Sequence, residues 1–120
     1  MDARLRDGVK LFNEGRFFES HEVWETLYRD TEEQHKPFVE GLIQLSAACR
    51  MIADFGETKG PVKLIYQALI RFESYQPVYM DVKVADLTRT MEAWAKKLEA
   101  GGDPDPTSVP TIPLRRFIFF

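Results

Sequence analysis

Pro37-Phe38-Val39-Glu40-Gly41-Leu42-Ile43-Gln44-Leu45-Ser46-Ala47-Ala48-Cys49-Arg50-Met51-Ile52-Ala53-Asp54-Phe55 is the stretch whose reading decides the fold. Pro37 suits a first helical turn, where its missing N–H costs nothing. Gly56 supplies the stop. Between them, helical spacing places Phe38, Leu42, Leu45, Cys49 and Ile52 on one side. Val39, Ile43, Ala47, Met51 and Phe55 carry apolar surface well around the rest. A helix apolar on most sides is a central helix, covered by several neighbours. The rest of the chain must supply the cover.

The flanks supply it in helical form. Leu5, Val9 and Phe12 step by four and three, and Asp2 can cap their helix. Gly15 permits a break, and a second helix runs from near Phe17 to about Arg29. The polar run Asp30 to Lys36 connects it to the central helix. Beyond Gly56, Pro61 opens a fourth helix with the inner stripe Val62, Ile65, Leu69 and Phe72, and Pro77 stops it. Leu87, Met91, Trp94 and Leu98 mark a fifth within Val84 to Ala100. No segment carries a strand period. The expectation is an all-α, compact bundle of about five helices over residues 1–100, with an extended tail over 101–120. Seven prolines in the chain, clustered toward this end, keep the tail out of helix and central strand. Its last residues, Phe117-Ile118-Phe119-Phe120, should pack on the bundle or on another subunit. The pattern Gly8, Gly15, Phe17, Ser20, Trp24 resembles a tetratricopeptide-type helical hairpin, in which small residues let two helices approach.

At 120 residues the chain is one domain's worth. Sixteen Lys and Arg against nineteen Asp and Glu give a net charge of −3. That argues against nucleic acid or an anionic membrane surface as the main partner, since both need a basic face. One cysteine cannot form an internal disulfide and fits a reducing cytosol. No apolar run is long enough to span a bilayer, and Met1-Asp2-Ala3-Arg4 is no signal peptide. The expected location is therefore cytoplasmic.

One polar constellation could carry chemistry. In Phe17-Phe18-Glu19-Ser20-His21-Glu22-Val23-Trp24-Glu25-Thr26-Leu27-Tyr28, the residues Phe17, His21, Trp24 and Tyr28 share one stripe. On that wheel His21 and Glu25 fall inside the apolar sector, and Glu22 lies at its edge. Glu19 and Thr26 face solvent. A buried Glu25 would need a partner, a proton or a cation. His21 is one turn away, and Gln44 and Glu40 on the central helix could complete a network. Glu25→Ala would then cost about 1–3 kcal/mol by stranding the imidazole.

The functional alternative is a metal site built on His21, Glu22 and Glu25, with Tyr28 and Gln44 behind them. The match is incomplete. The zinc-protease helix needs a second His where Glu25 stands, and di-iron bundles need paired Glu-x-x-His units. With two histidines in the chain, a His-rich site is excluded. Cys49 reads as a small core residue, His35 as a solvated loop residue, and Trp94 and Met91 as core.

The residues Phe12-Asn13-x-Gly15-x-Phe17-Phe18-Glu19-x-His21-Glu22-x-Trp24-Glu25, followed by Phe38-x-x-Gly41-Leu42-Ile43-Gln44-Leu45-x-Ala47, resemble the domain of unknown function 309 family. The resemblance extends from about Gly8 to Trp94. It implies a small, all-helical, mostly prokaryotic protein whose hallmark is a His-Glu-x-x-Glu-x-x-Trp helix. His21, Glu22 and Glu25 match that motif, Tyr28 replaces its final Trp, and Ser20 stands where Ala is usual. The resemblance implies no activity. The reading is a small helical binding module with a buried His-Glu network and no obligatory cofactor. Its partner would be a protein, a small ligand or a second copy of the chain. The alternative is a metal-binding protein or metal-dependent hydrolase using His21, Glu22 and Glu25.

Overall fold

Asp2 accepts a hydrogen bond from the Arg4 N–H at 2.8 Å and so starts α1 (Ala3–Asn13). In the computed structural model, which describes residues 2–115, four further α-helices follow: α2 (Phe17–Arg29), α3 (Lys36–Phe55), α4 (Lys59–Phe72) and α5 (Val84–Glu99). The all-α expectation holds, and among the described residues only isolated bridges occur in place of strands. Gly56 closes α3 in the left-handed region at φ 68°, with its N–H on the Ile52 carbonyl and the Glu57 N–H on the Met51 carbonyl. The fourth helix stops at Phe72, short of Pro77. A single 3₁₀ turn, Glu73–Tyr75, swings Tyr75 back onto the Phe38 ring at 5.4 Å.

Each helix packs against its neighbours in sequence. Arg4 reaches across to the Thr26 carbonyl at 3.2 Å and Asp30 at 2.8 Å, which shows α1 and α2 to be antiparallel. Gly8 lets them approach closely. The Trp24 indole lies against its bare Cα, donates to the Leu5 carbonyl at 3.3 Å, and is fully buried. Beside it, the buried Ser20 hydroxyl donates to the Gly8 carbonyl at 3.0 Å. A second glycine repeats the device on the other side of α3, where Gly41 receives the edge of the Phe72 ring from α4. Phe38, Leu42, Leu45, Cys49 and Ile52 are all buried between these neighbours.

The tail, as far as Arg115, lies on the bundle. The Asn13 amide clamps the backbone of Ile112, donating to its carbonyl at 3.1 Å and accepting from its N–H at 2.7 Å. Ile112 is buried as a result. One residue on, the Pro113 carbonyl accepts from the Lys83 N–H at 2.9 Å, and Leu114 bridges to Val82. Trp94 donates to the Ser108 hydroxyl at 3.3 Å. The expected docking of Phe117-Ile118-Phe119-Phe120 lies outside the described residues.

Candidate functional site

Gly8 sets the rotation of α2. With no side chain opposite, Ser20 can turn fully inward, and the buried line of α2 becomes Phe17, Ser20, Trp24 and Leu27. That line is rotated away from the expected stripe of Phe17, His21, Trp24 and Tyr28. His21 and Tyr28 are only half-buried, on the flank that faces α3, while Glu22 and Glu25 are exposed. The expected burial of Glu25 is thus corrected. His21 Nε2 does meet Glu25 Oε1, at 3.4 Å, but the carboxylate side chain is 49% exposed.

The other expected members go elsewhere. Gln44 accepts from Arg71 Nε at 3.0 Å, and Glu40 accepts from the same guanidinium at 3.3 Å. They tie α3 to α4 instead of completing a network with His21. Tyr28 carries the Lys36 ammonium over its ring at 5.0 Å. Among the described residues, no three side chains of His, Cys, Asp or Glu are grouped so that they could hold a metal ion. Cys49 is buried, and desolvation pushes its thiol far up from the ordinary range, so it is no nucleophile.

His35 is not a solvated loop residue. Its Nδ1 bonds the Tyr79 hydroxyl, and the two rings lie 5.6 Å apart. Met80 and Asp81, at φ 48° and 65°, form the tight turn that brings Tyr79 back over the start of α3. There it meets Phe38 edge-on at 5.1 Å and Tyr75 at 4.5 Å. Burial, with Tyr75 adding to it, holds the Tyr79 phenol above its ordinary value.

The feature that sequence reasoning missed is an open groove along the α2–α3 junction. Ile43, Ala47 and Met51 are half-buried and Phe55 is 63% exposed, so this stripe of α3 lacks the cover expected of it. At one end the groove is a depression of about 290 Å³ lined by Phe18, His21, Ala47, Arg50, Met51 and Phe55. One turn along both helices lies a second depression, lined by Glu25, Tyr28, Arg29, Glu40 and Ile43. Lining residues ascend α2 as they descend α3, as antiparallel helices require. Phe18 is itself 47% exposed.

Arg50 dominates the first depression. Its guanidinium carbon lies 4.4 Å from the Phe18 ring centroid and 5.9 Å from that of Phe55. Among the described residues, Arg50 Nε is buried without a hydrogen-bond acceptor. Asp54, one turn on, stands 3.6 Å away, an ion-pair distance but too long for a hydrogen bond. The signal that could have revealed the site is the pairing of Phe55 and Arg50 at the end of an otherwise apolar helix. A stranded arginine there needs a stacking partner from elsewhere.

The family model described as Domain of unknown function (DUF309) matches residues 5–64, half of the chain. The matched stretch holds all of α2 and α3, and so both walls of the groove. It ends at Leu64, short of Trp94, where the resemblance read from the sequence ends. No curated protein matches the chain.

Proposed function

We propose that this chain, which belongs to the domain of unknown function 309 family, is a small helical binding module that receives a partner along the α2–α3 groove. One observation carries the reading: the described residues leave Ile43, Ala47 and Met51 half-covered and Phe55 exposed along one stripe, with Phe18 exposed on the opposite wall. A contiguous apolar seam of this kind, flanked by charged groups, is what a docking helix or extended segment covers. Full burial of a phenylalanine contributes about 1.5–3 kcal/mol. Phe18 and Phe55 expose 47% and 63% of their surface, so covering both would contribute about 2–3 kcal/mol, a part of the roughly 8 kcal/mol of a micromolar complex. The likeness of the α1–α2 pair to a tetratricopeptide hairpin, and a cytoplasmic setting, belong to the same proposal. No observation favours a metal-dependent hydrolase, because His21 is engaged by Glu25 and no third ligand joins them among the described residues.

The test is site-specific photo-crosslinking in cells with a benzoylphenylalanine at position 18. Ile70, 65% exposed on α4 and lining neither depression, serves as the control position. A discrete adduct at position 18, absent at 70 and lost when Phe55→Asp is added, is the expected result. An adduct at twice the chain's mass would identify the partner as a second copy. Equal or no labelling at the two positions overturns the reading.

A further inference from the structure

We infer that the groove's Phe18 end is a carboxylate reader: the occupant is a helical peptide segment that presents an Asp or Glu to Arg50. The inference rests on the docking reading above and gives its partner a chemistry. A guanidinium stacked on an aromatic face offers its edge to an acceptor, and the planar fork of N–H groups matches a carboxylate in two parallel bonds. Phe18 and Phe55 provide the stacking faces. Neither ring can accept an in-plane hydrogen bond, and Arg50 Nε is left buried without an acceptor among the described residues.

Among the described residues, the chain's own acids do not meet this need. Asp54 is too distant for a hydrogen bond, and Glu25 is held by His21. Nε is turned toward Asp54, but the Arg50 side chain is 40% exposed, so the terminal N–H groups of its fork are what an arriving carboxylate meets. The remainder of the groove favours one polarity. The far depression is lined by two acids and one base, Glu25, Glu40 and Arg29, against Arg50 and no acid at the Phe18 end, so an acidic end sits better beside Arg50. Arg50 and Glu40 lie ten residues apart on α3, about 15 Å of helix. The fitting partner is therefore about three turns long, acidic at one end only, with an apolar stripe laid on Ala47, Met51 and Phe55.

The probe is a fluorescein-labelled, helix-forming twelve-residue peptide (about three turns) with Leu at i, i+4 and i+7 and two Glu in its first turn. Two counterparts carry Gln or Lys in place of both Glu. Fluorescence anisotropy against the full chain should show the Glu peptide binding at least about tenfold tighter than the Lys peptide. R50Q should remove that preference, and R50K, which keeps the charge but not the planar fork, should retain part of it. Amide NMR spectra of both variants confirm that the fold is intact. Equal or tighter binding of the Lys peptide, a preference that survives R50Q, or no binding of any peptide overturns the inference. If position 18 still crosslinks specifically in those cases, the groove stands and its acid preference falls. If crosslinking also fails, both fall.

Discussion

The indole of Trp24 occupies the space that a side chain on Gly8 would need: a Cβ built there would sit 2.0 Å from Nε1. This contact closes the α1–α2 hairpin and, by admitting Ser20 beside it, rotates α2 so that His21 faces the groove.

Gly8→Ala should therefore destabilise the protein although alanine is the better helix former. The propensity gain is about 1 kcal/mol. Overpacking against a fully buried ring costs about 1–3 kcal/mol or more, because neither backbone can yield without opening the hairpin. A Cβ 2.0 Å from a fully buried ring belongs at the upper end of that range, so urea unfolding should show a net loss of about 2 kcal/mol or more. In a Trp24→Phe background the same change should cost less, since the smaller ring vacates the space. A Gly8→Ala protein as stable as the parent would contradict the packing described.

Glu25→Ala should have little effect on stability. With its side chain 49% exposed and the His21 contact at 3.4 Å, the pair sits in high dielectric. Exposed pairs contribute about 0–1 kcal/mol, below the loss expected of a buried carboxylate. Thermal and urea melts of the variant should fall within about 0.5 kcal/mol of the parent. A loss above about 2 kcal/mol would place the carboxylate in a buried network after all.

Asn13→Ala should free the tail. The side chain makes both hydrogen bonds that hold the Ile112 backbone, and no other described group replaces them. At about 1 kcal/mol per bond, the loss should be about 1–3 kcal/mol. Hydrogen exchange at the Ile112 amide should accelerate well before the amides of α3. Asn13→Asp should not rescue it, because the second contact would then set a carboxylate oxygen against the Ile112 carbonyl. Unchanged exchange at Ile112 in Asn13→Ala would refute the clamp.

Helix boundaries were legible because their signals are local. Asp2, Gly15, Pro37 and Gly56 act on the backbone within a turn of where they stand, and the helices begin and end beside them. The phase of α2 was not, because it is decided by Gly8, a residue on another helix whose contribution is the absence of a side chain. A wheel drawn through the aromatic residues of α2 centres on the large groups, and so turned His21 and Glu25 inward. His35 was misjudged for a similar reason: its partner, Tyr79, lies 44 residues away. Arg50 and Phe18 meet across two helices, and nothing within either segment records the contact. The apolar stripe ending at Phe55 was visible, but periodicity reports which face is apolar and not whether a neighbour covers it.

Alkaline titration gives the last expectation. Tyr66 on α4 donates its hydroxyl to the Glu99 carboxylate at the end of α5. That bond, chiefly, with desolvation adding to it, pushes the phenol up to about 12 from an ordinary value of about 10. Ionisation would place two negative charges against each other, so the folded state favours the neutral phenol. The contribution to stability is complete below about pH 10, the unfolded value, and is lost as pH rises from there through the folded value. In a sample labelled with ¹³C at tyrosine, the Tyr66 resonance should titrate near pH 12. Glu99→Gln should bring the midpoint back toward 10 by removing the charge while keeping an acceptor. The stability difference between the parent and Tyr66→Phe should accordingly narrow between pH 10 and 12. A Tyr66 midpoint near 10 in the parent would show that the α4–α5 contact does not persist in solution.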